Sequence, residues 1–169
     1  MQLRYGFRHG RVDGISGDAA VAVLARPGNA WPTWWQMSRV GLLATPGVVG
    51  LSATWRLLRF HRVLETTRRR LLNAPHWYLF AIGVPPERKG QGLGGAMLRH
   101  GVDRARAAGF PCYLETTNPR NLPCYERHGF RVMEERRWPR SELRIWGLVA
   151  KPDRNPGETA VFNAAALRP

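Results

Sequence analysis

One stretch, residues 76–95 (HWYLFAIGVPPERKGQGLGG), limits what this chain can fold into more than any other. Residues 76–85 are mostly apolar and rich in aromatic and β-branched types, which predicts a buried strand. Pro85 and Pro86 end the pairing, because each fixes φ and lacks a donor N–H. Lys89-Gly90-Gln91-Gly92-Leu93-Gly94-Gly95 then turns tightly into a helix. Glycines let the backbone come close to a ligand, and a helix N-terminus offers unpaired N–H groups and a positive dipole end. Strand, glycine turn and helix start together read as a phosphate cradle.

The remaining pattern is arranged about that cradle. A helix is predicted over 91–108, with Leu93, Met97, Leu98, Val102 and Ala105 on one side. Arg99, His100, Asp103 and Arg106 take the other, so the helix lies on a sheet. Gly109 caps it and 110–116 form a second buried strand, which makes a parallel strand–helix–strand unit with a right-handed crossover. Asn118 and Asn121 flank the start of a short helix running through His128, and Gly129 caps that helix. Residues 130–138 and 143–150 read as a closing pair of strands.

Upstream, 19–27 (AAVAVLARP) is a short strand, preceded by weaker strand character at 3–7 and 10–14, with Ser16, Gly17 and Asp18 near a hairpin turn. Helical spacing over 32–73 predicts two helices, with Trp34, Met37, Val40 and Leu43 on the first and Pro46-Gly47 as the break. Trp55, Leu58, Val63 and Leu64 supply apolar positions of the second, and Arg68-Arg69-Arg70 reads as its solvated end. The expected architecture is a single α/β (α+β) domain over 1–150, with a mixed sheet flanked by helices. A loosely ordered tail, 151–169, follows it.

Composition narrows the function. The 169 residues suffice for one domain with a sizeable core, and 44% apolar content with seven Trp excludes a disordered chain. A formal charge of +14 invites nucleic acid, but 24 of the 26 basic residues are Arg and lie scattered through every element. A basic face that draws in a polyanionic ligand fits that scatter better, so no nucleic-acid partner is expected. Cys112 and Cys124 form neither a disulfide framework nor a metal spacing and read as core thiols; no metal is expected. The first residues, MQLRYGFRHGR, lack the apolar run of a signal peptide. Residues 40–55, about 16 in number and broken by Pro46, are too short to span a bilayer. A cytoplasmic protein is expected.

Gly90-Gln91-Gly92-Leu93-Gly94-Gly95 matches the G-x-G-x-x-G dinucleotide fingerprint literally. In a dinucleotide fold, however, the first glycine follows its strand almost directly, whereas residues 85–89 intervene here. Antiparallel strands also follow a single strand–helix–strand unit. A Walker loop fails too, because no Lys-Ser/Thr follows Gly95.

VPPERKGQGLG (84–94) followed by NLPCYERHGF (121–130) resembles the GNAT superfamily of acyl-coenzyme A-dependent N-acetyltransferases. LETTNPRNLPCYERHGF (114–130) is similar in particular to the puromycin N-acetyltransferase type. The resemblance implies a splayed central sheet and an acetyl-CoA cosubstrate. It assigns the pyrophosphate to Lys89, Gly90, Gln91, Gly92, Leu93 and Gly94, with Gly95 opening the helix. Lys89 stands where the family usually has Arg or Gln, which keeps a cation and loses a bidentate fork. The pantetheine arm would pair with the backbone of Ile82, Gly83 and Val84 like an added strand, with Asn121 as its side-chain partner. A backbone N–H near Val84 would hold the acetyl oxygen.

Tyr125 matches the family tyrosine that protonates the departing thiolate, a role that suits a phenol still protonated at neutral pH. The alternative for Tyr125 is a core tyrosine. Glu115 is the candidate base for the incoming ammonium, directly or through a water, against the alternative of a residue that orders the loop; His76 and Glu65 are weaker substitutes. Histidines 9, 61, 100 and 128 read as surface residues. Direct attack by a small-molecule primary amine in a ternary complex is expected, since neither cysteine neighbours a recognisable base. Acetylation of protein or peptide amines and acyl-CoA binding without catalysis are the alternatives. The family also has a strand and two helices ahead of the hairpin, supplying much of the acceptor pocket. Here that front segment is expected to be shortened or missing, leaving an exposed edge and a homodimer.

Overall fold

The computed structural model describes residues 11–15, 20–27, 45–139 and 141–152. Small and β-branched residues (AVAVLA) make β2 (Ala20–Ala25), which pairs antiparallel with β1 (Arg11–Ile15) as the expected hairpin. β3 (Trp77–Gly83) and β4 (Cys112–Thr116) are parallel and joined by helix α3 (Leu93–Ala107). β5 (Arg131–Arg137) and β6 (Arg144–Ala150) close the sheet, antiparallel to one another. The six described strands run in the order β1-β2-β3-β4-β6-β5, with a single parallel pair at the centre.

The expected strand over 3–7, the helix predicted ahead of Pro46, and the tail from 153 onward lie outside the described residues. Pro46 and Gly47, the expected break after the helix ahead of them, are themselves helical. They sit inside α1 (Thr45–Val49), where a proline near the N-terminus loses no intrahelical bond. The break falls at Gly50, whose φ of 80° precedes α2 (Leu51–Leu71). No helix among the described residues is long and apolar enough to cross a membrane.

The two sides of the sheet are covered differently. α3 buries Met97, Leu98, Val102 and Ala105 against Leu24, Leu79, Leu114 and Leu148, as its periodicity requires. Gly101 permits that close approach, because a Cβ there would lie 3.1 Å from a Leu24 methyl. α2 covers the other side, with Leu71 and Leu72 against Tyr78, Tyr113 and Val149. Its buried stripe runs through Thr54, Leu64, Thr67 and Arg68, whereas Trp55 is 60% exposed. Two expectations therefore change: Trp55 is no core residue, and the first arginine of 68–70 is buried rather than solvated.

Candidate active site

β3 and β4 pair at only two positions, Trp77↔Cys112 and Tyr78↔Tyr113. Beyond them β3 continues on β2 and β4 on β6, so the two central strands part. A bulge contributes to the parting. Leu24 opposes Leu79 while Val23 opposes Ala81, which leaves Phe80 as an extra residue on β3. Such a bulge bends the strand and resets its alternation. Leu79 and then Ile82 and Val84 consequently face the α3 side, and Phe80 packs with Tyr78 on the α2 side. The residues assigned to pantetheine, Ile82, Gly83 and Val84, lie along the parted edge.

The glycine turn begins where that edge ends. Pro86–Arg88 form one 3-10 turn, and Lys89 N–H donates to the Pro86 carbonyl at 3.3 Å. Gly90 and Gly92 take φ of 82° and 77°, values that favour glycine, and no atom lies within 4 Å of where a Cβ would project. Gly92 is the N-cap of α3, and its carbonyl accepts the first helical bond from Ala96 at 3.0 Å. The N–H groups of Leu93, Gly94 and Gly95 occupy the helix positions that have no intrahelical acceptor. Lys89, Gln91 and both left-handed glycines are exposed. A polyanion fits this turn: open space beside Gly90 and Gly92, a helix dipole and an exposed lysine. Gly95 has a further reason to be glycine, since a Cβ would stand 3.0 Å from His128 Nε2.

Tyr125 comes from the short helix α4 (Leu122–Arg127), whose N-cap is Asn121. Its ring packs at 6.2 Å against Phe130. Burial raises its phenol above the ordinary value of 10, opposed by hydrogen bonds with the Thr116 and Asn121 side chains. The turn that delivers these groups is tied locally: Asn118 N–H donates to Thr116 Oγ1 at 3.2 Å, and Arg120 N–H to Asn118 Oδ1 at 3.1 Å. Tyr125, Asn121 and Thr116 thus meet at the end of β4, beside the gap between the strands.

Glu115 faces the other way. Successive residues of a strand alternate sides, so Leu114 and Thr116 share the α3 side while Tyr113 and Glu115 share the α2 side. One carboxylate oxygen accepts from Tyr78 Oη and the other from Tyr113 Oη at 2.9 Å. Burial pushes the carboxyl up from 4.5 to about 7, against the two phenol bonds and the Arg68 charge, which all pull it down. Both phenols are raised above 10, chiefly by burial and then by the neighbouring Glu115 charge. The pair Glu115↔Gly147 explains the space available. A Cβ on Gly147 would lie 2.7 Å from a Leu71 methyl and 3.3 Å from Tyr113 Oη.

The substitutes for Glu115 are otherwise occupied. Glu65 forms an ion pair with Arg69 at 2.7 Å. His76 Nδ1 lies 2.8 Å from the Ala74 carbonyl, and Nε2 lies 3.3 Å from Arg68 Nη1. His61 and His128 are half-buried rather than on the surface, and His128 Nδ1 bonds the Cys124 carbonyl at 2.7 Å. Cys112 is fully buried and burial pushes its thiol up to about 12, whereas Cys124 is half-buried. No cluster of metal-ligating side chains occurs among the described residues.

Tyr78, Tyr113, Thr116 and Arg68 were missed by sequence reasoning. Tyr78 and Tyr113 lie in apolar runs, and only the parallel register brings both hydroxyls to one carboxylate. A lone Glu ending an apolar strand was the single visible signal.

A parted parallel pair with a left-handed glycine turn below it and a tyrosine beside the gap defines the class: a coenzyme-binding acyltransferase fold. Residues 47–130 match the family model of the GNAT acetyltransferases, a family that uses acetyl-CoA, and the chain is similar to that family over this span. An uncharacterized N-acetyltransferase of Schizosaccharomyces pombe is 27% identical over 116 residues, 66% of this chain and 47% of the relative. The chain therefore spans about half the length of this curated relative. A Drosophila melanogaster polyamine N-acetyltransferase that forms N-acetylagmatine superposes with a TM-score of 0.56 at 18% identity, over 85% of this chain and 74% of its own. Histone acetyltransferase HPA2 and related acetyltransferase from Corynebacterium glutamicum gives 0.55 at 20% identity, over 92% and 71%. Both likenesses concern the fold.

Proposed function

We propose that this chain transfers an acetyl group from acetyl-CoA to the primary amine of a small molecule, by direct attack in a ternary complex. The observation that carries this reading is the parting of β3 and β4 directly above the glycine turn. Acetyl-CoA supplies the acetyl group as a thioester with a thiolate leaving group. Lys89, Gly90, Gln91, Gly92, Leu93, Gly94 and Gly95 hold its pyrophosphate through backbone N–H groups and the Lys89 charge. Ile82, Gly83, Val84 and Asn121 line the pantetheine arm.

Tyr125 donates a proton to the sulfur as negative charge develops there. Its raised pKa keeps that proton in place at neutral pH. Glu115, with a pKa of about 7, accepts the ammonium proton through a water or the Tyr78 hydroxyl. The aromatic rings around it, with Tyr78 at 4.2 Å from Phe80 and 5.6 Å from Tyr113, suit an organic cation beside a buried carboxylate. The fold itself is shared by enzymes named for a polyamine and for histones.

A cytoplasmic setting accords with two free thiols, and a homodimer belongs to the same reading. Light scattering across a concentration series reads the oligomeric state, and a monomer throughout would remove the dimer. The function is tested by titrating acetyl-CoA in a calorimeter and then following thiol release with a panel of small amines and lysine peptides. Binding with release on small amines is expected. Binding without release on any amine would make the chain a coenzyme-binding module, and release on peptides alone would move the acceptor to protein.

A further inference from the structure

The outward face of α2 carries apolar side chains where solvent-facing residues are usually polar. Its buried stripe is Thr54, Leu64, Thr67 and Arg68. A helix takes about 3.6 residues per turn, so the line Leu51, Trp55, Arg59, Arg62 stands opposite that stripe. Leu51 is 79% exposed and Trp55 60%, and Val48 of α1, across the joint at Gly50, is 80% exposed. Arg56, Arg59 and Arg62 are exposed and form no ion pair among the described residues. Arg69 and Arg70, further along, have Glu65 and Glu134 as partners. Gly50 gives α2 no side-chain cap and no acid stands in the first turn, so nothing local offsets the positive dipole end. An apolar tip is followed along one ridge by unpaired cations.

A ridge of this kind needs a partner that is apolar at one depth and anionic at the next. A second copy of the chain offers the wrong charge, because a two-fold contact across this face sets Arg56, Arg59 and Arg62 against themselves. An anionic bilayer offers both complements. Its lipid phosphates match the guanidinium fork, and the boundary between headgroups and acyl chains takes an indole and aliphatic side chains. We propose that the outer face of α1 and α2 docks on an anionic lipid surface. Val48, Leu51 and Trp55 enter the headgroup boundary, and Arg56, Arg59 and Arg62 meet lipid phosphates. The helix lies on the surface, since no helix among the described residues is long and apolar enough to cross it. The helix that begins at the glycine turn packs on the other side of the sheet, as does Tyr125, so docking through α2 leaves them facing away from the lipid. The inference does not depend on acetyl transfer.

The test sediments the whole chain with vesicles of phosphatidylcholine, either alone or with about one third phosphatidylserine. Binding is expected with the serine lipid and not with phosphatidylcholine alone. Leu51→Ser combined with Trp55→Ser should lower the partition coefficient about tenfold or more. Arg59→Gln combined with Arg62→Gln should lower it by a similar factor. Arg99→Gln combined with Arg127→Gln removes the same charge from the α3 side and should leave partition within about twofold of wild type. All six positions are exposed, so Tm should hold within a few degrees in every variant. Equal losses in the two arginine pairs would reduce the binding to net charge and overturn the inference. So would unchanged partition in the Leu51→Ser, Trp55→Ser protein, or equal binding to phosphatidylcholine alone. A wild type that ignores both vesicles, together with a smaller oligomer by light scattering in the Leu51→Ser, Trp55→Ser protein, would give the face to a second copy and overturn it as well.

Discussion

Among the described residues one long helix covers each side of the sheet, and the two sides are built from different material. Against α3 the core is Met97, Leu98, Val102 and Ala105 on Leu24, Leu79, Leu114 and Leu148, apolar throughout. Against α2 the apolar contacts of Leu72 and Val149 surround Arg68, His76, Tyr78, Tyr113 and Glu115, which are linked by hydrogen bonds and ring contacts. The first arrangement gains by removing apolar area from water and asks little of geometry. The second stands only while each polar atom keeps its partner, because an uncompensated buried charge costs several kcal/mol. The α3 side is therefore an apolar platform that ends in backbone donors, and the α2 side is a polar environment shaped by burial and charge. Tyr125 stands at the end of the first and Glu115 within the second.

This division is sharpest at Tyr125. Tyr125→Phe should lower turnover about 100-fold or more while acetyl-CoA affinity stays within about threefold, read by thiol release and calorimetry. Equal turnover would remove the residue from proton transfer and leave it as packing against Phe130.

The next effect belongs to the α2 side. Glu115 is raised from 4.5 to about 7 on folding, so the folded state holds more protons between those values. Its contribution is stabilising below pH 4.5 and is lost as pH rises through about 7, a change of about 3 kcal/mol at most. Denaturant unfolding of wild type should weaken over that window relative to Glu115→Gln. Parallel pH profiles for the two proteins would mean that Glu115 is solvated like an ordinary carboxylate, and the contrast between the two sides would collapse.

A smaller effect is expected at the cradle. Gly92→Ala forces a Cβ into a backbone with φ of 77°, costing about 1–2 kcal/mol locally. No neighbour obstructs the added methyl, so the loss should fall on the loop's shape rather than on the core. Acetyl-CoA affinity is expected to drop about tenfold by calorimetry, with Tm changed by only a few degrees. Wild-type affinity in this variant would place the pyrophosphate elsewhere.

What was legible follows the same division. The strand–turn–helix at 76–95, the amphipathic α3 and the caps at Gly109 and Gly129 are local features, with their information in consecutive residues. Periodicity finds an apolar stripe, and so it found α3. It misjudged α2, where Trp55 is exposed while Thr54, Thr67 and Arg68 are buried. Hydrophobicity assigns no burial to a threonine or an arginine. Their partners lie on other strands, and only register reveals them.

The sequence by itself determined the glycine turn and the segment that carries Tyr125. Glycines at 90 and 92, a proline stop before them and the Asn121–Tyr125 segment each carry conformational or chemical content within a few bonds. Tertiary structure decided the rest. The bulge at Phe80 turned Ile82 and Val84 toward α3, and the two-residue pairing of β3 with β4 opened the gap between them. Strand alternation set Glu115 opposite Tyr125, and the end of α2 brought Arg68 to His76. These are long-range relations among residues far apart in the chain. Burial and charge act through space, so the pKa of a carboxylate is a property of the folded molecule and of no segment within it.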